Sequence, residues 1–288
     1  MNTLPAIISG LGQIADRYDA VLCDVWGVIH NGHEPFQASV AALARFRKER
    51  GPVILITNSP RPSREIPAQF DQIGVSHNCY DAIVTSGDAT RSALQSRAPG
   101  PVYILGPKRD LPLYDGLGLQ MVSLQEAAFI SCTGLVHDME ETPDDYRELL
   151  AQATQLSLPM VCANPDIEVL IGNRRIWCGG ALAAKYAELG GTVYYAGKPH
   201  APIYALAFER LQELTGKPVD PAKVLAIGDG IGTDITGAMN AGIDSLFVAT
   251  GIHTNALDEA GALNAKQLAK DMAQQKTRTR YGASGLVW

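Results

Sequence analysis

The chain has 288 residues, 46% of them hydrophobic and 19% charged, with a formal charge of -6 at neutral pH. That length can bury a sizeable core in one large domain or two modest ones. The acidic balance excludes attraction to nucleic acid or an anionic membrane surface without a local basic patch, and no apolar run reaches the ~18 residues a membrane span needs.

Strand-length apolar runs alternate with helix-length amphipathic segments from the start. "AVLCDVWGVI" (20–29) reads as a strand, and "ASVAALARFRKER" (38–50) as a helix with Val40, Leu43 and Phe46 along one stripe. "VILIT" (53–57) is a second strand, "SREIPAQFDQIG" a helix that Gly74 ends, and "DAIVTS" (81–86) a third strand. Between ~88 and ~190 the alternation continues with weaker strands, "PVYIL", "FISCTGL", "PMVCA", "EVLIG" and "RRIWC", heavily punctuated by Gly and Pro. The last third restores the strong pattern: "TVYYAG" (192–197), the helix "APIYALAFERLQELTG", "KVLAIGD" (223–229), the short helix "DITGAMNAG" and "DSLFVAT" (244–250). Continuous apolar strands separated by helices imply a parallel sheet covered on both faces. The expected fold class is α/β, a doubly wound Rossmann-like core (1–87 and 191–288) with an α/β domain (88–190) inserted between its halves.

The five cysteines, Cys23, Cys79, Cys132, Cys162 and Cys178, are odd in number and widely spaced. They imply reduced thiols in a cytoplasm rather than a disulfide framework or a zinc site. The N-terminus, interrupted by Asp16 and Asp19, carries no leader pattern. The one basic cluster, Lys276, Arg278 and Arg280, reads as a solvated end. His30 and His33 have H-x-x-H spacing without a third ligand, which reads as an ordinary loop pair.

Ligands of open parallel sheets sit at the carboxyl ends of the strands. Polar residues end the apolar runs at Asp24, at Thr57-Asn58, at Lys198 in "AGKPH", and at Asp229 in "AIGDGIGTD", with Asp234 following. Each alone reads as a strand-end cap. Together, two carboxylates with further oxygen sites suit Mg²⁺, and a lysine with backbone N–H groups suits a phosphoryl group.

These residues and their order resemble the haloacid dehalogenase (HAD) superfamily of phosphotransferases over residues ~18 to ~255. "CDVWGV" matches the first motif at the nucleophile, Asp24; "ILITN" the second at Thr57; "GKP" the third at Lys198; "IGDGIGTD" the fourth at Asp229 and Asp234. The insertion resembles the class II, type A α/β cap of the branch that includes 4-nitrophenyl, pyridoxal and nucleotide phosphatases. "TNSPRPS", "VTSGDAT", "CANPD" and "CGGALAAKYAELGG" carry that likeness. The resemblance implies an aspartyl-phosphate at Asp24. It implies Mg²⁺ held by Asp24, the backbone carbonyl of Trp26 and Asp229, with Asp234 behind them or bound through water. Thr57, Asn58, Ser59 and Lys198 would take the phosphoryl oxygens of a small phosphorylated metabolite. Asp166 matches a substrate-facing loop and equally fits plain turn chemistry, and caps of this type often form homodimers.

One position departs from the family. Most phosphatases of the superfamily carry a second aspartate two residues after the nucleophile; here it is Trp26. Indole donates a hydrogen bond but does not trade a proton near neutral pH. Three explanations stand open: a leaving group that needs no proton, a substitute acid such as His30, or a phosphometabolite-binding protein that does not turn over. Displacement at carbon, as in dehalogenases, is a further possibility that the carboxylates Asp229 and Asp234 argue against. Trp26 itself reads either as a plug in the core–cap seam or as a platform for a substrate ring. Arg61, just after the second motif, either meets a substrate anion or is a solvated helix-start residue.

Overall fold

The computed structural model describes residues 4–171, 174–250, 256–258 and 261–288. Among them, seven strands form one parallel sheet in the order β1 (Ala6–Ile7), β14 (Tyr281–Ala283), β13 (Asp244–Val248), β12 (Val224–Gly228), β2 (Ala20–Cys23), β3 (Val53–Thr57) and β4 (Ala82–Thr85). The apolar runs are continuous because both faces are covered. Along β2, Val21 and Cys23 enter one core and Ala20 and Leu22 the other; β3 divides Val53 and Leu55 from Ile54 and Ile56 in the same way. Helices α1 (Gln37–Glu49) and α2 (Ile66–Ile73) supply Leu43, Phe46 and Phe70 to the first core, and α6 (Ala201–Thr215) supplies Ile203, Ala207 and Leu211 to the second.

Helix α3 (Ser86–Gln95) leads from β4 into a second parallel sheet, ordered β11 (Val193–Tyr195), β8 (Met160–Cys162), β7 (Phe129–Cys132), β5 (Pro101–Leu105) and β6 (Gln120–Met121). Helices α4 (Arg147–Gln155) and α5 (Gly179–Glu188) pack on this sheet, with Leu150, Ala153, Leu182 and Tyr186 buried against Ile130 and Met160. Strands β9 (Glu168–Ile171) and β10 (Arg174–Trp177) form a separate antiparallel pair.

The expected elements differ from the observed ones in three places. The run 20–29 is a strand only to Cys23; beyond it Gly27 turns the chain at φ +83° and Ile29 N–H reaches back to the Val25 carbonyl. The strand in 192–197 belongs to the second sheet, where Val193–Tyr195 pairs with β8, so the chain returns to the first sheet after Tyr195 rather than at 191. Its residues are only partly buried, which suits an edge strand, and periodicity cannot assign a strand to one sheet over another. The end of the family likeness, residues 251–255, and Gly172 of "EVLIG" lie outside the described residues.

The third difference is the C-terminal segment. Lys276, Arg278 and Arg280 are exposed, but Thr277 and Thr279 between them are buried, and the alternation runs into β14, which pairs with both β1 and β13. Arg280 pairs with Asp244 at 2.6 Å, Tyr18 Oη donates to the same carboxylate at 2.7 Å, and the Arg45 guanidinium lies 4.6 Å over the Trp288 ring. Buried Tyr281, Ala283 and Leu286 each contribute on the order of 1–3 kcal/mol by apolar burial. Helices α7 (Thr236–Asn240) and α8 (Ala265–Gln274) bury Ala238, Leu268 and Met272 around this half of the sheet. Truncation after Arg280 is expected to remove cooperative unfolding, or to lower stability by at least roughly 3 kcal/mol, in urea titrations followed by circular dichroism. An unchanged midpoint would make β14 dispensable.

Candidate active site

The polar residues singled out at the strand ends come together at one edge of the seven-stranded sheet. Asp24 follows β2 and extends its ladder by one bond, Asp24 N–H to the Ile227 carbonyl at 2.8 Å. Thr57 closes β3, Asp229 follows β12, and Asp234 lies in the π-helical turn Ile231–Ile235. The wider turn brings Asp234 back under the loop, where its Oδ2 accepts from Gly230 N–H at 3.0 Å. Lys198 precedes α6 and its Nζ binds Asp24 Oδ1 at 2.5 Å, Asp234 Oδ1 at 2.6 Å and the Ile56 carbonyl at 3.2 Å.

All of these side chains are buried. Burial, with Asp234 adjacent, pushes the Asp24 carboxyl well above the usual carboxylate range, while Lys198 pulls it back. Burial alone would lower the Lys198 ammonium; Asp234 and Asp24 reverse that and hold it well above its ordinary value. Carboxylate oxygens of Asp24, Asp229 and Asp234 lie within 4.8 Å of one another. Carboxylates gathered in a buried place are costly without cationic charge beside them. The donors are hard oxygens, so the set fits a divalent cation. Gly27 belongs to this fit: a Cβ there, at φ +83°, would stand 2.5 Å from Asp229 Oδ2, so only glycine lets the loop lie against the carboxylate.

A second group of contacts ties the two sheets together. Asn58 Oδ1 accepts from Lys198 N–H at 2.7 Å, and its Nδ2 donates to the Lys198 carbonyl at 3.0 Å and to Asp166 Oδ1 at 2.8 Å. The Asn58 side chain is therefore a clamp on the lysine loop and on the Asn164–Asp166 loop, and only its backbone is free of that task. Burial raises the Asp166 carboxyl, with Lys198 and Asn58 pulling it back. Thr57 Oγ1 accepts from Ser59 N–H at 3.2 Å, which turns the chain after β3.

Trp26 is half-buried against the β9–β10 pair. Its Nε1–H donates to the Leu170 carbonyl on β9 at 2.8 Å, and its ring meets His30 edge-on at 5.0 Å. A cavity of about 380 Å³ opens beside it, with Thr57, Ser59, Arg61, Asp166 and Trp177 in its walls. Asp24 and Lys198 are not in that wall; they lie beyond Thr57. Asp110 lines the same cavity, and burial pushes its carboxyl up to about 6. Nothing in "KRDLPLY" distinguishes it from a surface aspartate, so sequence reasoning missed it.

His30, one of the three explanations for the missing acid, is buried in the structure. Its Nδ1 accepts from Gly32 N–H at 3.0 Å, and burial lowers its pKa to about 4. Burial therefore disfavours the imidazolium form, and with Nδ1 accepting, the ring's N–H is on Nε2. His33 is exposed while His30 is buried, so the pair does not form a metal site.

A model of haloacid dehalogenase-like hydrolases matches residues 21–120, and a second, HAD-hydrolase-like model matches residues 195–274. A hydrolase of the haloacid dehalogenase-like family from Brucella suis is 44% identical, with a TM-score of 0.88 over 98% of this chain and 100% of that one. The chain belongs to the haloacid dehalogenase-like hydrolase family. Among family members, an acid sugar phosphatase from Staphylococcus saprophyticus is 25% identical over 244 residues, 83% of this chain and 89% of that protein. A glycerol phosphate phosphatase from Mycobacterium tuberculosis, solved in complex with magnesium, is 25% identical with a TM-score of 0.63 over 85% of this chain and 70% of that one.

The His30 environment has a measurable consequence. Its folded pKa is depressed below the ordinary value of 6.5, so the unfolded chain binds a proton the folded one does not. This contribution is complete above pH ~6.5 and is lost as pH falls through about 4. The stability lost between pH 7.5 and 4.5 is expected to shrink by roughly 2–3 kcal/mol in His30→Asn, measured by urea unfolding at both pH values. Equal losses in the two proteins would show that His30 does not carry this term.

Proposed function

We propose that this family member is a Mg²⁺-dependent phosphatase of a small phosphorylated metabolite, with Asp24 as its nucleophile. The observation that carries the reading is the buried cluster in which Lys198 bridges Asp24 and Asp234 beside Asp229. The names of the relatives, acid sugar phosphatase and glycerol phosphate phosphatase, support a phosphorylated sugar or polyol as the substrate class.

In this reading Asp24, the Trp26 carbonyl and Asp229 hold the cation, with Asp234 behind them. The bound ion supplies positive charge against that of the phosphoryl oxygens. Asp24 attacks phosphorus: a P–O bond to its carboxylate forms as the ester P–O bond breaks, and the leaving oxygen departs with the electron pair. Lys198, Thr57, Ser59 and the Asn58 backbone hold the phosphoryl oxygens. Water then attacks the aspartyl-phosphate, releases phosphate and restores Asp24. Trp26 gives no proton, so turnover of a sugar or polyol phosphate, whose alkoxide leaving group needs one, is expected to be slower than that of an aryl or acyl phosphate. The five cysteines, all free and buried, support a reducing cytoplasm. The outer edge of β11, with Tyr194 exposed, supports pairing of two copies through the second sheet, read as the cap.

The second reading is a phosphometabolite-binding protein without turnover. The commitment of Trp26 to Leu170 at the acid's position favours it. One experiment separates the two. Wild-type protein with Mg²⁺ is expected to hydrolyse 4-nitrophenyl phosphate; Asp24→Asn and chelation should each abolish it. Saturable phosphate-ester binding with no turnover and no trapped aspartyl-phosphate would establish the second reading instead. Trp26→Asp is expected to raise kcat on an alkyl phosphate by up to ~10²-fold, the lower end of what a positioned acid contributes. An unchanged rate in a folded, metal-binding variant would sink the missing-acid account.

A further inference from the structure

The cavity beside Trp26 is lined by Thr57 and Ser59 and, in another part of its wall, by Arg61, whose side chain has no partner among the described residues. Among the described residues, the Arg61 guanidinium makes no hydrogen bond or ion pair, and its Nε is a buried donor left unsatisfied. The other arginine of the wall, Arg109, is neutralised by Asp138. Asp110 faces Arg61 closely enough to feel its charge but makes no ion pair with it. A desolvated, unpaired guanidinium donor is unfavourable, and buried donors are ordinarily satisfied.

Arg61 is also held in place. It stands between Pro60 and Pro62, its N–H donates to Ser59 Oγ at 3.3 Å, and the Ser59 carbonyl accepts from Gly87 N–H at 3.0 Å. Ser63 N–H is anchored on both oxygens of Asp88, at 3.2 and 3.1 Å. Gly87 lies so close that a Cβ there would stand 2.2 Å from the Pro60 carbonyl. A loop pinned at 59, 61 and 63 presents the side chain from a fixed base, which is how binding residues are preorganised. A solvated helix-start arginine needs none of this.

We propose that Arg61 reads a second oxyanion on the substrate, a carboxylate or a second phosphoryl group, so that the metabolite carries two anionic ends. The proposal rests on the phosphatase reading of Asp24 and deepens it. The planar fork of arginine suits either oxyanion. The cavity volume of about 380 Å³ holds a small metabolite. Asp110 and the adjacent Thr133 offer acceptors to hydroxyls between the two ends, and Trp177 with Ile176 and Val169 gives an apolar wall.

The test compares wild type with Arg61→Gln and Arg61→Lys on three esters: glycerol 3-phosphate, 3-phosphoglycerate and fructose 1,6-bisphosphate. Both kcat/KM and calorimetric affinity are read. In wild type, one of the two doubly anionic esters is expected to be preferred over glycerol 3-phosphate, and which one is preferred distinguishes carboxylate from phosphoryl. In Arg61→Gln that preference should fall about 10- to 100-fold, the loss of one charge-assisted hydrogen-bond pair, mainly through KM. Arg61→Lys should recover part of it. Equal losses on all three esters would place Arg61 in the phosphoryl cradle and overturn the proposal, as would no loss on any. A wild-type protein that hydrolyses none of them, nor 4-nitrophenyl phosphate, would end the phosphatase reading alone, because the affinities still judge the subsite.

Discussion

The structure is organised around a charge imbalance. Asp24, Asp229 and Asp234 converge at one sheet edge, and Lys198 binds two of them. In water such a cluster would disperse. Here it is held because each carboxylate is fixed by a rigid element: Asp24 by β2, Asp229 by β12, Asp234 by the π-helical turn and Gly230 N–H. Burying charge without full compensation is unfavourable, so the fold stores a demand for a cation and for the positive surroundings that accept a phosphoryl group. The parallel sheet makes this affordable, because its large apolar cores on both faces supply the stability that the site subtracts.

Two side chains beside that cluster reach into the inserted segment. Asn58 joins the Lys198 loop to Asp166, and Trp26 joins the first motif to the β9–β10 pair through the Leu170 carbonyl. Asn58 directly follows β3, and Trp26 stands in the turn after β2. Trp26 thereby has a structural task that the acidic residue of other family members would not perform in the same way. Trp26 is thus tied to the β9–β10 pair by its indole N–H.

Much of this was legible in the residues. The four strand-end motifs are local: each is a short apolar run followed by a polar residue, and parallel-sheet topology brings such ends to one edge. Gly74 ended its helix as read, with φ +77° at the C-cap. Other features were not legible. Strand β11 has the same pattern as a core strand, and only its pairing with β8 shows which sheet it joins. The alternation of buried Thr277 and Thr279 with exposed basic residues is a strand signal masked by charge; β14 after it is only three residues long. His30 looked like a proton donor by proximity in the chain, but its burial depends on Phe70 and Trp26, which pack around it from elsewhere.

The sequence by itself determined the fold class and the identity of the polar set at the sheet edge, because period-two burial and strand-end chemistry are local properties of the chain. It also determined that residue 26 carries no exchangeable acid. Tertiary structure decided what those residues do to each other: which carboxylates Lys198 binds, that the Asn58 side chain clamps the lysine loop, that His30 is buried, and that Arg61 has no partner among the described residues. Those are matters of desolvation and of distance between segments far apart in the chain, and neither is written in any stretch of sequence short enough to read.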